Sequence, residues 1–395
     1  MPCLNVLKTR LSLLVKGRCI ITYIYCTPKA IILRGSCYEL HRLIITDGKH
    51  EIISNWSWLR SIDRGRRLFS SYARLSKGVE VLRIIRADNM QCVRRIDLSK
   101  ELSVCDPGNQ EMYLFGVAAP EVVLTYLYNV VVPTKNNIVG VKKILSIIGQ
   151  DSNKTICCLN GSSLATEIEI TNECESNSVE FWRFDYNFNY SRLINDGVSK
   201  ATYDFVILLN DDIEIVSISQ LRELVGIVSV TSVGIVAPKL VYPDGSIQSC
   251  GIAVTEVQPL YSWKHYPDDP DNPWLTETHE VSAVTGACMV MRREVFEEVG
   301  GWDENLPVTL NDVDFCLKVR EAGYKVIVHP KVKMIHHESV TRGKNDAAQN
   351  FERTKRERAY FKKKWKAWLK KGDPYYSKKL SRKYPDFRLR KYDQP

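Results

Sequence analysis

The strongest restriction on this chain is an alternation that begins near residue 127. Short runs rich in β-branched residues take turns with segments whose apolar residues fall three and four apart. LYNVVVPT (127–134) reads as a strand, and Ile138, Val141, Ile144, Leu145 and Ile148 then mark one face of a helix. KTICCLN (154–160) and VEFWRFD (179–185) read as strands, SRLINDGVSKA (191–201) as a helix, and YDFVILL (203–209) as a strand. That last run is almost wholly apolar, as a strand covered on both faces must be. Strands and helices alternating at this spacing predict an α/β fold, a mostly parallel sheet with helices on both faces.

The pattern continues with a helix through Leu221, Leu224, Val225 and Val228, a short strand VGIVAP, and a hairpin KLVYPDGSIQS turning on Pro-Asp-Gly. A loop rich in Pro and Asp (267–273) leads to a strand in SAVTGACMVMRR and a glycine-stopped helix in EVFEEVGG. NDVDFCLKVREAG (311–323) is a further helix, YKVIVHP and KVKMIHHES are two strands, and residues 350–371 form a Lys- and Arg-rich helix. Upstream, residues 1–125 give β-leaning runs (CYELHRLIIT, VEVLRIIRA, CVRRIDL) without clear helices. The expected division is a β-leaning region over 1–125, an α/β domain over 126–345 and a basic helical extension over 346–395.

FVILLNDDIEIV (205–216) ends a buried strand on two adjacent carboxylates, Asp211 and Asp212. Neighbouring negative charges resist burial unless a cation or donor groups complete them. In open α/β sheets ligands bind beyond the carboxyl ends of strands, which is where this pair stands. Asp312 with Asp314, and His336 with His337, fall at the same expected edge. Carboxylates with an imidazole suit Mg or Mn. Taken singly, each has a plainer reading: a solvated turn, a charge favoured at a helix start, a histidine satisfied in a core.

The order of the blocks adds a resemblance. VVVPTKNN, ICCLNGSS, FNYSRLINDGVSKATYDFVILLNDDIEI, VAPKLVYPDGSIQSCGI, VSAVTGACMVMRREVFEEVGGWDE, NDVDFCLKVREAGY, IHHESVTRG and DPYYSKKLS resemble, in order, the family 2 glycosyltransferases. The likeness is greatest to bacterial rhamnosyltransferase-type enzymes of O-antigen and capsule polysaccharides, and it spans about residues 128–385. It implies a GT-A fold, a Rossmann-like nucleotide-binding sheet joined to an acceptor-binding half. It also implies a nucleotide-sugar donor and a glycan or lipid-linked oligosaccharide acceptor.

Residue by residue, the resemblance casts Asn210-Asp211-Asp212 as the family's Asp-x-Asp element. Asp212 and His336 would hold a divalent cation, Mn or Mg, with His337 as the fallback ligand. Asp312 would be the general base of an inverting displacement. Pro133, Thr134, Asn136, Asn160, Asn195, Asn210 and Asp211 would line the nucleotide-sugar side. Thr285, Gly286, Ala287, Trp302 and Asp303 would line the acceptor side, with Trp302 either a sugar-stacking platform or a core aromatic. The chain departs from the pattern at Leu159, where the family carries a base-contacting Asp, because Leu accepts no hydrogen bond. Asn311 and Asn210 likewise stand where acids are common. Leu159 leaves room for a rival reading, a catalytically silent binding protein on this fold.

Charge bears on partners. The net +9 is concentrated in residues 341–395, which hold 19 basic and 6 acidic side chains. A nucleic-acid reading of this tail is weaker than packing on the domain or contact with an anionic membrane surface, because Trp365 and Trp368 interleave with the cations. No uncharged apolar run is long enough to span a bilayer, and no secretory leader is evident. The expectation is therefore a cytoplasmic protein, peripheral at the inner face of the plasma membrane. The 12 cysteines include no C-x-x-C pair and read as buried reduced thiols.

Overall fold

The computed structural model describes residues 126–149, 154–270, 272–338, 347–376 and 380–384, with the backbone alone for residues 273 and 347–350 and for seven strands between residues 19 and 97. The chain divides into two compact units. One comprises Met1–Glu111, His265–Pro267 and Lys379–Pro395; the other comprises Met112–Lys264 and Asp268–Lys378. In the first unit the strands are antiparallel. Cys19–Cys26, Ala30–Cys37, Arg66–Arg74 and Trp56–Asp63 form one sheet in that order, and Leu43–Thr46, Val81–Arg86 and Cys92–Asp97 form another. The three β-leaning runs singled out above supply the second of these sheets.

The second unit is built on a 10-stranded sheet. Its main path runs Glu180–Arg183, Lys154–Leu159, Tyr128–Thr134, Phe205–Leu209, Cys288–Arg292, Val233–Val241, Lys325–His336, Ile213–Glu214. The first four strands are mutually parallel. Cys288–Arg292 is antiparallel to both neighbours, so Val233–Val241 and its parallel partner Lys325–His336 point the same way as the first four. The sheet is thus mostly parallel, as the alternation predicts.

Helix faces follow the apolar spacing. Ile138–Ile148 buries Val141, Ile144, Leu145 and Ile148, and Ile218–Val228 buries Leu221, Leu224, Val225, Ile227 and Val228. Burying each such side chain contributes about 1.5–3 kcal/mol before conformational entropy is counted. With Val130, Val132, Ile207 and Leu209 from the sheet they make one continuous core. The described cysteines, Cys157, Cys158, Cys174, Cys250, Cys288 and Cys316, are buried free thiols.

Two elements differ from the sequence reading. YKVIVHP and KVKMIHHES form one strand, Lys325–His336. Pro330 cannot donate to the ladder, and the strand absorbs it as a bulge: His329 pairs with Pro238 while Lys333 pairs with the next residue, Lys239. Conversely, the basic helix is two helices, Ala347–Lys364 and Lys366–Lys371, with a kink at Trp365. The backbone ladder crosses the kink, since Trp365 N donates to Phe361 O (2.9 Å) and Leu369 N to Trp365 O (2.9 Å). Among the described residues no helix is long and apolar enough to cross a membrane.

Two glycines separate fold constraint from tolerance. A Cβ at Gly140 would sit 1.8 Å from the Asp211 carbonyl oxygen, whereas one at Gly226, inside Ile218–Val228, meets nothing within 4 Å. Thermal and chemical denaturation should show Gly140→Ala losing about 1–3 kcal/mol or more through overpacking. Gly226→Ala should gain about 0.5–1 kcal/mol. Equal effects from the two would contradict this placement of the first helix against the Asp211 turn.

Candidate active site

The site is built outward from the end of the Phe205–Leu209 strand. Leu209 pairs with Cys288; one residue on, Asn210 N donates to Ala287 O (2.9 Å) and the chain turns, Ile213 N donating back to Asn210 O (3.2 Å). The turn sends the two carboxylates in different directions. Asp211 points inward: it is 5% exposed, and the Thr134 hydroxyl donates to its Oδ2 at 2.7 Å. Burial pushes its carboxyl up to about 6, against hydrogen bonds from Thr134 and Asn137 that favour the charged form. Asn137 Nδ2 also donates to the Asp211 carbonyl (3.0 Å) while its Oδ1 caps the first helix at Gly140 N (3.0 Å).

Asp212 points the other way, toward the Lys325–His336 strand. Ile213 pairs with His336 across the sheet, and His337 N donates to Asp212 O (3.0 Å). This register brings Asp212 Oδ1 to 3.1 Å from His336 Nε2, with side chains 8% and 12% exposed. The contact lacks hydrogen-bond geometry, and Oδ1 is buried with no hydrogen-bond partner among the described residues. An orphaned carboxylate oxygen beside an imidazole nitrogen is costly alone and suits two neighbouring ligands of one cation.

The far side of His336 fixes which nitrogen can serve. Its Nδ1 lies 2.5 Å from the Gln248 carbonyl oxygen Oε1. A carbonyl oxygen only accepts, so Nδ1 carries a proton, which leaves Nε2, on the Asp212 side, as the nitrogen able to ligate a cation. Gln248 is buried on the Ile247–Ser249 strand, and Glu338 holds it: Gln248 Nε2 and the Tyr242 hydroxyl both donate to Glu338 Oε2, at 3.4 and 3.0 Å. His337, the fallback ligand, is turned away, its Nε2 3.1 Å from Glu214 Oε2. The physical reason is the strand pleat, which points adjacent side chains to opposite faces.

Asp312 reaches the same strand end through the 285–287 turn. It opens the Asn311–Glu321 helix after Leu310, whose φ of 65° is a left-handed conformation unusual for a bulky residue. Gly286 N donates to Asp312 Oδ2 (3.1 Å) and Val313 N to Oδ1 (2.8 Å). These N–H groups at the helix start fix the direction of the carboxylate. Residue 286 must be glycine, since a Cβ there would lie 2.6 Å from Trp302 Cη2. Three successive steps therefore link the acidic turn to Asp312: Leu209 to Cys288, Asn210 to Ala287, Gly286 to Asp312.

The other expected site residues divide by where their polar atoms go. Asn136 is exposed and left-handed (φ 57°); its Oδ1 accepts from Ser163 N (2.8 Å). Pro133 and Thr134 close the first strand, buried, and Thr285 is half-buried beside buried Gly286 and Ala287. The Asn210 Oδ1 accepts from the Tyr190 hydroxyl (2.6 Å). Several side chains are instead committed within the chain. Asn160 donates to the carbonyls of Phe184 (2.8 Å) and Tyr186 (3.0 Å). Asn195 donates to Trp302 O (2.9 Å) and accepts from Trp302 N (2.8 Å). Trp302 is 2% exposed, stacked on Phe315 and tilted against Tyr190, so it is placed as a core aromatic and offers no open face to a sugar. Asp303 accepts from the Lys364 ammonium (2.7 Å) and the Tyr360 hydroxyl (3.0 Å). Burial would raise its carboxyl, but hydrogen bonds from Lys364 and Asn305 outweigh that and bring it to about 2.

Asp314, paired with Asp312 in the sequence reading, does not join the site. It is fully buried and accepts from Trp365 Nε1 (2.7 Å) and Lys364 Nζ (3.0 Å). Leu159 ends its strand buried in the core and contributes no polar side-chain atom. Gln248, Asn137 and Tyr190 were not singled out as site residues in the sequence, although the blocks KLVYPDGSIQS, VVVPTKNN and FNYSRLINDG contain them.

The profile of the family described as "Glycosyltransferase like family 2" matches residues 154–366. The chain is 35% identical over 276 residues to the uncharacterized protein y4gI of Sinorhizobium fredii, covering 67% of this chain and 30% of that relative. It is 33% identical over 216 residues to the O-antigen biosynthesis protein RfbC of Myxococcus xanthus, covering 53% and 16%. To the N-acetylglucosaminyl-diphospho-decaprenol L-rhamnosyltransferase of Mycobacterium tuberculosis it is 27% identical over 127 residues, covering 29% and 41%. The chain thus spans less than half the length of each of these relatives.

If Gln248 sets the His336 tautomer, Gln248→Leu should weaken Mn2+ binding, measured by calorimetry without substrate, by about 10–100-fold. The imidazole 15N shifts of His336 should at the same time lose their single-tautomer signature. Unchanged affinity with unchanged shifts would remove Gln248 from that role.

Proposed function

This chain belongs to glycosyltransferase-like family 2, and from that membership we propose that it moves a sugar from a nucleoside-diphosphate sugar to a hydroxyl of a glycan or lipid-linked glycan, inverting the anomeric carbon, in cell-surface polysaccharide synthesis. The family's GT-A fold places donor chemistry at the carboxyl ends of the parallel strands. The observation that carries the proposal is the convergence there of the Asp212–His336 pair and Asp312, linked through residues 285–287. The names of the O-antigen and rhamnosyltransferase relatives support the polysaccharide setting.

Asp212 and His336 would hold a divalent cation, Mn or Mg. No group of three potential ligand side chains assembles among the described residues, so diphosphate oxygens and water would complete the coordination. Such an ion supplies Lewis-acid neutralisation of the charge that grows on the departing diphosphate. The buried, unpartnered Asp212 oxygen fits that load.

Asp312 acts on the acceptor. Held by two backbone N–H groups and half-buried, it accepts the proton of the attacking hydroxyl as the bond to the anomeric carbon forms. An ordinary carboxylate suffices because the hydroxyl turns acidic only in the transition state. A single in-line displacement inverts configuration. Half-buried Thr285 is the member of the 285–287 turn open to the acceptor, while Gly286, packed against Trp302, lets that turn position the base. Thr134 and Asn136, at the end of the first strand, lie on the nucleotide side. Asp211 supports that side from beneath through Thr134. Asn160, Asn195, Trp302 and Asp303 shape the walls through the bonds described above.

Two outcomes test this. Asp312→Asn should retain nucleotide-sugar binding by thermal shift with Mn2+ present yet lose transfer by about 10²–10⁴-fold; near-normal turnover would remove Asp312 as the base. Wild-type protein should hydrolyse its donor slowly without acceptor, stop on chelation and recover with Mn2+. Metal-independent hydrolysis would refute the cation's role, and absence of any donor binding across a nucleotide-sugar panel would favour the silent reading that Leu159 suggests.

A further inference from the structure

The two C-terminal helices, Ala347–Lys364 and Lys366–Lys371, present opposite chemistries on opposite faces. Glu357, Phe361, Trp365 and Leu369, spaced four apart, are buried. Three carboxylates clamp this inner face. Asp314 takes Trp365 Nε1 and Lys364, Asp303 takes Lys364 and Tyr360, and Glu357 accepts from the backbone N–H groups of Val308 (3.1 Å) and Thr309. At about 100° per residue, Lys355, Arg356, Lys362, Lys363, Lys366 and Lys370 fall in one arc outside the buried stripe. All six are exposed. None is paired with a carboxylate among the described residues, and Glu352 is the sole acid in the arc. Phe351 and Tyr360, 66% and 37% exposed, flank it.

Six like charges on one arc repel, and the fold does not use them: the inner face alone attaches the helices. A cationic stripe on the outer side of these helices, edged by exposed aromatic rings, complements an anionic surface with an apolar layer beneath. We propose that this face docks the protein on the anionic lipid headgroups of a bilayer. A nucleic-acid duplex offers the same charge but keeps its base faces stacked inside, away from the rings, and single strands are covered by the titration below. The docked helices clamp Asp314 and Thr309, which neighbour Asp312 in sequence, so on the transferase reading, and only on it, docking would bring the acceptor site to the membrane. The docking itself does not depend on that reading.

The test is sedimentation of the full chain with vesicles of phosphatidylcholine alone, or with phosphatidylglycerol at about one part in three, and a parallel titration with duplex and single-stranded DNA. Wild-type protein should bind the mixed vesicles and not the neutral ones, and should detach as NaCl rises from about 0.05 to 0.5 M. Lys355→Glu combined with Lys362→Glu, Lys363→Glu and Lys366→Glu should cut partitioning by about 100-fold or more, leaving the melting temperature and metal-dependent donor hydrolysis unchanged. Should that variant misfold, the fourfold Lys→Gln variant should give the same direction with a smaller loss. Equal binding to neutral vesicles, no vesicle binding, variants that bind like wild type, or tighter binding to DNA than to the mixed vesicles would each overturn the proposal. Loss of hydrolysis with retained vesicle binding would strike the transferase reading alone.

Discussion

Two adjacent carboxylates at the end of a buried strand cannot both be left charged and unaccompanied, and the site is arranged around that constraint. The chain solves it asymmetrically. Asp211 is folded inward, raised toward neutrality by burial and held by Thr134, which ties the first strand to the turn. Asp212 is folded outward beside His336 with one oxygen unsatisfied, which leaves a place for a cation. The close approach of Gly140 to the Asp211 carbonyl locks the turn from below. The pairing of Asn210 with Ala287 carries its position on to Gly286 and Asp312.

Much of this was legible in the sequence because it depends on local pattern. Helical spacing at Val141, Ile144, Leu145 and Ile148, and the unbroken apolar run before Asn210, follow from which side chains must be buried. The expected sheet edge already brought Asp212 near the His336–His337 pair, but the choice of His336 over His337 came from family likeness, since nothing local separates the two. What the sequence did not disclose is where polar atoms of buried side chains point. Asn160, Asn195 and Asp303 occupy positions associated with ligand binding, yet their atoms are spent on Phe184, Trp302 and Lys364. Gln248 reaches His336 across a strand pairing that no sequence period encodes. Pro330 reads as a strand breaker, but a bulge lets one strand carry His336 to the site.

Asp303 and Asp314 join the two halves of the account. Both accept from Lys364, one from Tyr360 and the other from Trp365, so the helix that opens with Asp312 is braced by the basic C-terminal helices. A charge that sequence alone associates with metal binding, Asp314, is instead a buried anchor. Removing one partner of such a buried pair leaves an uncompensated charge, costing about 3–5 kcal/mol, which makes the brace part of the scaffold rather than an appendage. The cations left on the outer face are then free to meet another surface.

The central claim is that Asp212 and His336 ligate one divalent cation through a carboxylate oxygen and Nε2. Pulsed electron paramagnetic resonance of Mn2+ bound to the protein with a nucleoside diphosphate tests this directly. The account predicts 14N coupling from a single imidazole, lost in His336→Ala and retained in His337→Ala, with Mn2+ release in Asp212→Ala. A bound Mn2+ spectrum without nitrogen coupling, or one indifferent to both His336→Ala and Asp212→Ala, would contradict it.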